Sequence, residues 1–314
     1  MADGADRSRE PARVRPSEDL GESLRDALLA EIDTALLECE DLASWEQPRR
    51  RRAVHELRRA LKRFRAGASL CKGAVDAVEV RAVQEEVRST AERLSATRDR
   101  DVLVETITDV CTVLPPGLRR STGAIAVAVL APDKATTAAA DWHQAAAIIR
   151  GQLEGLRARM LSVDLRAVGP DSIAAAIARR WRRARRLSAV PWNAGHLDAL
   201  HEVRKECQRI ALQLVLVSRL GPRRRVERLA SDLGRVVSAI GEDRDLGLLE
   251  GLLAERRAEF PDPRQVDELL REVRTRRQRL LRAARKRARR VLAPKAGEMR
   301  RLVATGRKAS RRGR

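Results

Sequence analysis

Tyrosine is absent from this chain of 314 residues, which has only two phenylalanines and four tryptophans. Proteins that hold single-stranded nucleic acid stack its bases on aromatic rings, so the scarcity counts against that class and suits an anion without bases. The four cysteines, Cys39, Cys71, Cys111 and Cys207, are far apart, which leaves no CxxC redox pair and no cysteine-based zinc signature. Each falls on or near an apolar stripe, so they are expected as buried thiols in a reducing compartment. The four histidines, His55, His143, His196 and His201, form no HxxxH or HExxH pair, and no metal site is expected. A Walker phosphate loop and an acidic cluster of Mg²⁺-binding spacing are also missing, so neither an enzymatic activity nor a cofactor is expected. The longest uncharged apolar run, AIAVAVLA at 124–131, is far too short to span a bilayer. The opening MADGADRSREPARVRPSED has no apolar core of signal-peptide type. A cytoplasmic protein without a membrane partner is expected.

Lysine is scarce as well: seven of the 65 cations are Lys and the rest are Arg. Arginine's planar fork donates two parallel hydrogen bonds to an oxyanion, which suits phosphate. Biased codon usage would explain Arg over Lys equally well, but not 65 cations against 44 carboxylates, a formal net charge of +21. Such a charge opposes compaction by self-repulsion, and its natural complement is an anionic partner.

What is present is helix. Ala, Leu and Arg dominate, and β-branched alternation is rare. The periodicity predicts helices over about 20–43, 48–72, 75–95, 99–113, 118–130, 136–163, 171–188, 196–219, 222–240, 244–258 and 264–292, separated by Pro and Gly. Pro48 and Pro222 suit a first helical position. Residues 1–18 and 294–314 are expected to be disordered tails, the second of them basic.

The chain repeats itself at one offset. His55 and His201 are 146 residues apart, as are Arg58 and Arg204, Arg63 and Arg209, Arg98-Asp99 and Arg244-Asp245, and Pro115 and Pro261. Two related helical units follow, about 19–166 and 167–293, each a bundle of roughly four main helices joined by short connections.

The repeated stretches are VHELRRALKRFR (54–65) and LHEVRKECQRIA (200–211). On a helix, Arg58, Arg59 and Lys62 fall within about 60° of His55, with Arg63 and Arg65 about 80° to either side. Leu57, Leu61 and Phe64 take the opposite face. In the second stretch Arg204, Lys205 and Gln208 flank His201, with Arg209 at the edge and Val203, Cys207 and Ile210 opposite. A solvated face normally mixes signs, because like charges three or four residues apart cost stability. A further cluster, RRWRRARR (179–186), puts Arg179, Arg182, Arg183 and Arg186 on one face. Arg49 to Arg52 and Arg223 to Arg225 oppose the dipole at helix starts, at roughly 0.3–1 kcal/mol each when exposed.

His55, Arg58, Lys62-Arg63 and Arg65, followed by RDRDVL from Arg98, and then His201, Arg204 and Arg209, followed by RDLGLL from Arg244, resemble the CHAD domain, the conserved histidine α-helical domain. The resemblance covers about 19–293, with Gln208 and Ala211 standing where cations are expected. It implies an all-α fold of two four-helix bundles related by pseudo-two-fold symmetry, with a basic groove or pore between them that holds inorganic polyphosphate. It also implies association with polyphosphate granules. The groove residues so implied are His55, Arg58, Arg59, Lys62, Arg63, Arg65, His201, Arg204, Lys205 and Arg209, to which the basic face of Arg179, Arg182, Arg183 and Arg186 is added. Each histidine is either a ligand contact or a group buried at the seam between bundles. Arg98, Asp99, Arg244 and Asp245 are expected to cap helices or orient the basic face. Sequence-independent nucleic-acid binding is the alternative function.

Overall fold

A computed structural model of the chain describes residues 11–76 apart from 18, 43 and 45; residues 82, 85 and 88–90; and residues 99–112, 126, 142–192 and 196–304. The fold is all-helical. Its main elements are α1 (Leu20–Leu42), α2 (Gln47–Ala68), α3 (Asp99–Thr112), α4 (Trp142–Ser162), α5 (Pro170–Leu187), α6 (Leu197–Leu216), α7 (Arg223–Glu255), α8 (Pro263–Val291) and α9 (Ala296–Ala304). The expected helices over 75–95 and 118–130 lie largely outside the described residues.

Proline and aspartate set several starts. Pro48 sits in the first turn of α2 and Pro170 in that of α5, where a missing N–H costs nothing. Asp262 caps α8 by accepting from the Arg264 N–H at 2.9 Å. Arg50, in the first turn of α2, donates to the Ser44 carbonyl at 3.0 Å and stacks over the Trp142 ring at 5.1 Å, contacts that offset its unfavourable place on the helix dipole.

Three expectations are corrected. The helices read over 222–240 and 244–258 are one helix, α7. Gly241 costs about 1 kcal/mol against Ala in a helix interior, but the buried stripe of Val226, Ala230, Leu233, Val237, Ile240, Leu246, Leu249 and Leu253 keeps helical period straight through it. The tail expected from 294 instead holds α9, whose Met299, Leu302 and Val303 are buried where the helix packs on α5. The indole N–H of Trp181 on α5 fixes the approach by donating to the Pro294 carbonyl at 2.8 Å. At the other end, residues 11–17 are tied down rather than loose. Val14 is fully buried and its N–H donates to the Leu216 carbonyl at 2.8 Å, while the Arg15 N–H donates to Ser23 Oγ at 2.7 Å.

Helix α1 packs on α2 and α4, α5 on α6 and α9, α6 on α2 and α7, and α8 on α7. The two histidine helices, α2 and α6, meet near their C-terminal ends. There the buried Gln213 amide donates to the Ala66 carbonyl at 3.1 Å and Ser69 Oγ at 2.8 Å, and Gly67 lets Leu28 and Leu216 close in. Two apolar cores result. The larger runs from Val14 to Val303 and takes in α1, α2, α4, α5, α6, α9 and the adjoining halves of α7 and α8. The smaller joins Ile107 and Val110 of α3 to Leu246, Leu249 and Leu253 of α7 and Val266, Leu269 and Val273 of α8. Between the two cores Asp243 and Arg277 form a buried ion pair at 3.0 Å, and Glu250 takes a second guanidinium nitrogen at 2.7 Å. All four cysteines are buried and free, and burial pushes the thiols up, Cys39 to about 11 and Cys71 and Cys207 to about 12. No described helix is long and apolar enough to cross a membrane.

Candidate functional site

The second histidine helix, α6, buries Leu200, Val203, Cys207, Ile210 and Leu214, and on its opposite face Lys205 is exposed while His201, Arg204 and Arg209 are half-buried. Asp198 in its first turn complements the dipole. A cleft of about 280 Å³ opens where α6 meets α7, lined by Leu197, Asp198, Leu200, His201 and Arg204 from α6 and Ile240, Asp243, Arg244, Gly247 and Leu248 from α7. The two sequence motifs of the second half, HEVRK and DRDLG, thus face each other across one cleft. Arg244 was expected in a supporting role. It is exposed and lines the cleft, and the adjacent Asp243 is the carboxylate that turns inward to Arg277. Asp245 is half-buried.

Arg204 is held in place from below. Its Nε donates to the Val237 carbonyl at 3.3 Å, and its guanidinium lies against Gly241, where a Cβ would come within 2.8 Å of it. His201 is half-buried, and its pKa is pushed below the ordinary 6.5 first by burial and then by Lys205, Arg244 and Arg204. The ring is therefore neutral near pH 7, in a positive surround that an incoming anion would relieve. Lys205 is exposed and pairs with Glu202 at 2.7 Å.

Behind this face stands a carboxylate that the sequence pattern did not single out. Glu206 is buried on α6, and three guanidinium groups converge on it: Arg180 at 3.0 Å and Arg183 at 3.4 Å from α5, and Arg209 at 3.3 Å from its own helix. Arg180 was missed too. Its signal was an arginine set beside the apolar stripe of Ile177, Trp181 and Ala184, and that of Glu206 was a carboxylate among Val203, Cys207 and Ile210. A buried charge of either sign needs a partner on the neighbouring helix.

The first histidine helix uses the same device with the carboxylate on the other helix. Glu31 of α1 is buried and receives Arg63 Nε of α2 at 2.6 Å and the Ala12 N–H at 3.2 Å. Burial raises the Glu31 pKa, and Arg63 opposes the shift. On the rest of this face His55 and Arg59 are exposed, and Arg59 pairs with Glu56 at 3.0 Å. Arg58, Lys62 and Arg65 are half-buried. Arg98 lies outside the described residues, and Asp99 begins α3.

The arginines of α5 diverge. Arg179 donates to the Lys72 carbonyl at 2.8 Å, Arg183 leans onto Glu202 and Glu206, and Arg182 and Arg186 are exposed. Among the described residues there is no group of three or more His, Cys, Asp or Glu that could hold a metal ion.

The family model of the CHAD domain matches residues 27–254, and the chain belongs to that family. Among solved structures, PptA from Streptomyces chartreusis matches with a TM-score of 0.58 at 17% identity, over 86% of this chain and 99% of that one. The likeness extends to the fold. No curated protein matches the chain.

Proposed function

We propose that the chain binds inorganic polyphosphate, without hydrolysing it, along a cationic groove lined by the two histidine helices. The observation that carries the reading is the α6–α7 cleft, which brings His201 and Arg204 from one CHAD motif to Arg244 from the other. Polyphosphate bears about one negative charge per phosphate and no bases, so it needs fixed cations rather than aromatic platforms, and released counterions would supply much of the affinity. Membership of the CHAD family supports the choice of ligand. By the 146-residue offset, α2 and the start of α3 are the counterpart of α6 and the middle of α7. In this reading the two units, 19–166 and 167–293, are pseudo-symmetric bundles flanking the groove. The second offers its cleft to the ligand even with Gln208 and Ala211 in place of cations. Attachment to polyphosphate granules in the cytoplasm follows as the cellular role.

The test is displacement of labelled long-chain polyphosphate by unlabelled duplex DNA at matched phosphate concentration and two salt concentrations. Polyphosphate should stay bound near physiological salt. Equal displacement by DNA would overturn the reading. Phosphate release on incubation with polyphosphate and Mg²⁺ would overturn its non-catalytic part.

A further inference from the structure

Helix α8 carries no motif and does not line the α6–α7 cleft, yet the charge of its second half is one-sided. No Asp or Glu occurs between Val273 and Gly297, a span with eleven cations. Some of these are committed: Arg274 to Glu250, Arg276 to Glu242, Arg277 to Asp243 and Arg290 toward Asp232. Arg279, Arg282, Lys286 and Arg289 are exposed and have no acidic partner among the described residues. The buried stripe of the helix is Arg277, Leu281, Ala284, Ala288 and Val291. Measured from it at 100° per residue, those four cations fall at about 120–200°, on the outer ridge. Their spacing of i, i+3, i+7 and i+10 makes a row about 15 Å long.

Ordinary surface chemistry does not explain the row. Like charges three and four residues apart destabilise a helix by a few tenths of a kcal/mol per pair, where alternating signs would stabilise it. Arg289 complements the dipole in the last turn, but Arg279 and Arg282 lie upstream of the turn in which that effect acts.

We infer that the outer ridge of α8 is a second polyanion site, which takes duplex nucleic acid through its phosphates without sequence preference. This inference does not rest on the polyphosphate reading. A row of exposed side chains on the outer face of a helix projects outward, so it enters a groove rather than forming one. A duplex major groove about 12 Å wide admits a helix of this diameter. Gln278 and Ala283, which flank the row, offer neither an aromatic platform for single strands nor an apolar anchor for a membrane.

The test uses the full chain carrying Arg282→Gln, Lys286→Gln and Arg289→Gln, titrated separately with a short duplex of arbitrary sequence and with long-chain polyphosphate. Duplex affinity should fall about tenfold or more, and its log–log salt slope should shrink by about 2.7, the value for three lost phosphate contacts. Polyphosphate affinity should change by less than about twofold, whereas Arg204→Gln should do the reverse. Unchanged duplex binding in the triple variant would overturn the proposal, as would a wild-type chain that fails to bind duplex near physiological salt. Equal loss of both ligands would also overturn it, because the ridge would then belong to a single polyphosphate track. None of these failures by itself removes polyphosphate binding in the cleft.

Discussion

Gly241 has no side chain because Arg204 occupies the space: a Cβ there would lie 2.8 Å from the guanidinium. The glycine lets an arginine lie flat on the backbone of α7 while its outer edge reaches the cleft. The obstacle to an alanine is the mobile end of a side chain rather than fixed backbone. Gly241→Ala should therefore leave the unfolding midpoint unchanged or raised, since alanine is the better helix former by up to about 1 kcal/mol. Polyphosphate affinity should fall by roughly 1 kcal/mol, about fivefold, as Arg204 is displaced. Thermal denaturation and a binding titration on the same sample separate the two effects. A variant that loses stability but keeps its affinity would show that Arg204 braces the fold and does not serve the ligand.

Glu206→Gln should be costly for a different reason. It strips the buried counter-charge from Arg180, Arg183 and Arg209 at once. Removing one partner of a buried ion pair typically costs about 3–5 kcal/mol, and here three cations are left facing one another. Urea unfolding should show the loss, while Arg186→Gln, on an exposed side chain, should stay within about 0.5 kcal/mol of the parent.

The depressed pKa of His201 has two consequences for pH. In the free protein the folded state binds fewer protons at this site than the unfolded state. Its contribution to stability is complete above the ordinary value of 6.5 and declines as the pH falls through that value towards the lower, folded one. Binding a polyanion should lift the pKa again, so proton uptake should accompany binding. Affinity should then rise as the pH falls from about 7.5 to about 5.5, by up to about tenfold per unit of lift. Calorimetry in two buffers of different ionisation enthalpy measures the uptake directly, and His201→Gln should abolish this site's share.

Met299→Ala tests whether α9 is part of the folded unit. The side chain is buried on a helix that packs against α5, and emptying such a site costs about 2–5 kcal/mol. A drop of that size in urea unfolding is expected. No change would mean that α9 docks without contributing to stability.

The helical character of the chain is legible in its sequence, because helix periodicity is a local property. Leu57 and Phe64 opposite His55, and Val203 and Ile210 opposite His201, mark the dry faces, and all four are buried. The family is legible for the same reason: its motifs are short and their spacing survives in one dimension. The junction at Gly241 misleads because a breaker's penalty of about 1 kcal/mol is local, whereas the packing that overrides it comes from α6 and α8. Helix α9 escapes notice because a stripe of Met299, Leu302 and Val303 is too short to stand out from basic surroundings.

By itself the sequence determined that this would be an arginine-rich helical protein with two histidine helices and a surplus of positive charge. Tertiary structure alone decided which cations the surplus comprises. Arg63, Arg180 and Arg209 are drawn onto Glu31 and Glu206, Arg204 and Arg244 are brought to one cleft, and the ridge of α8 is left facing water. The reason is physical: the charge on a side chain is set by its own chemistry, but its compensation depends on what the neighbouring helix places within about 4 Å.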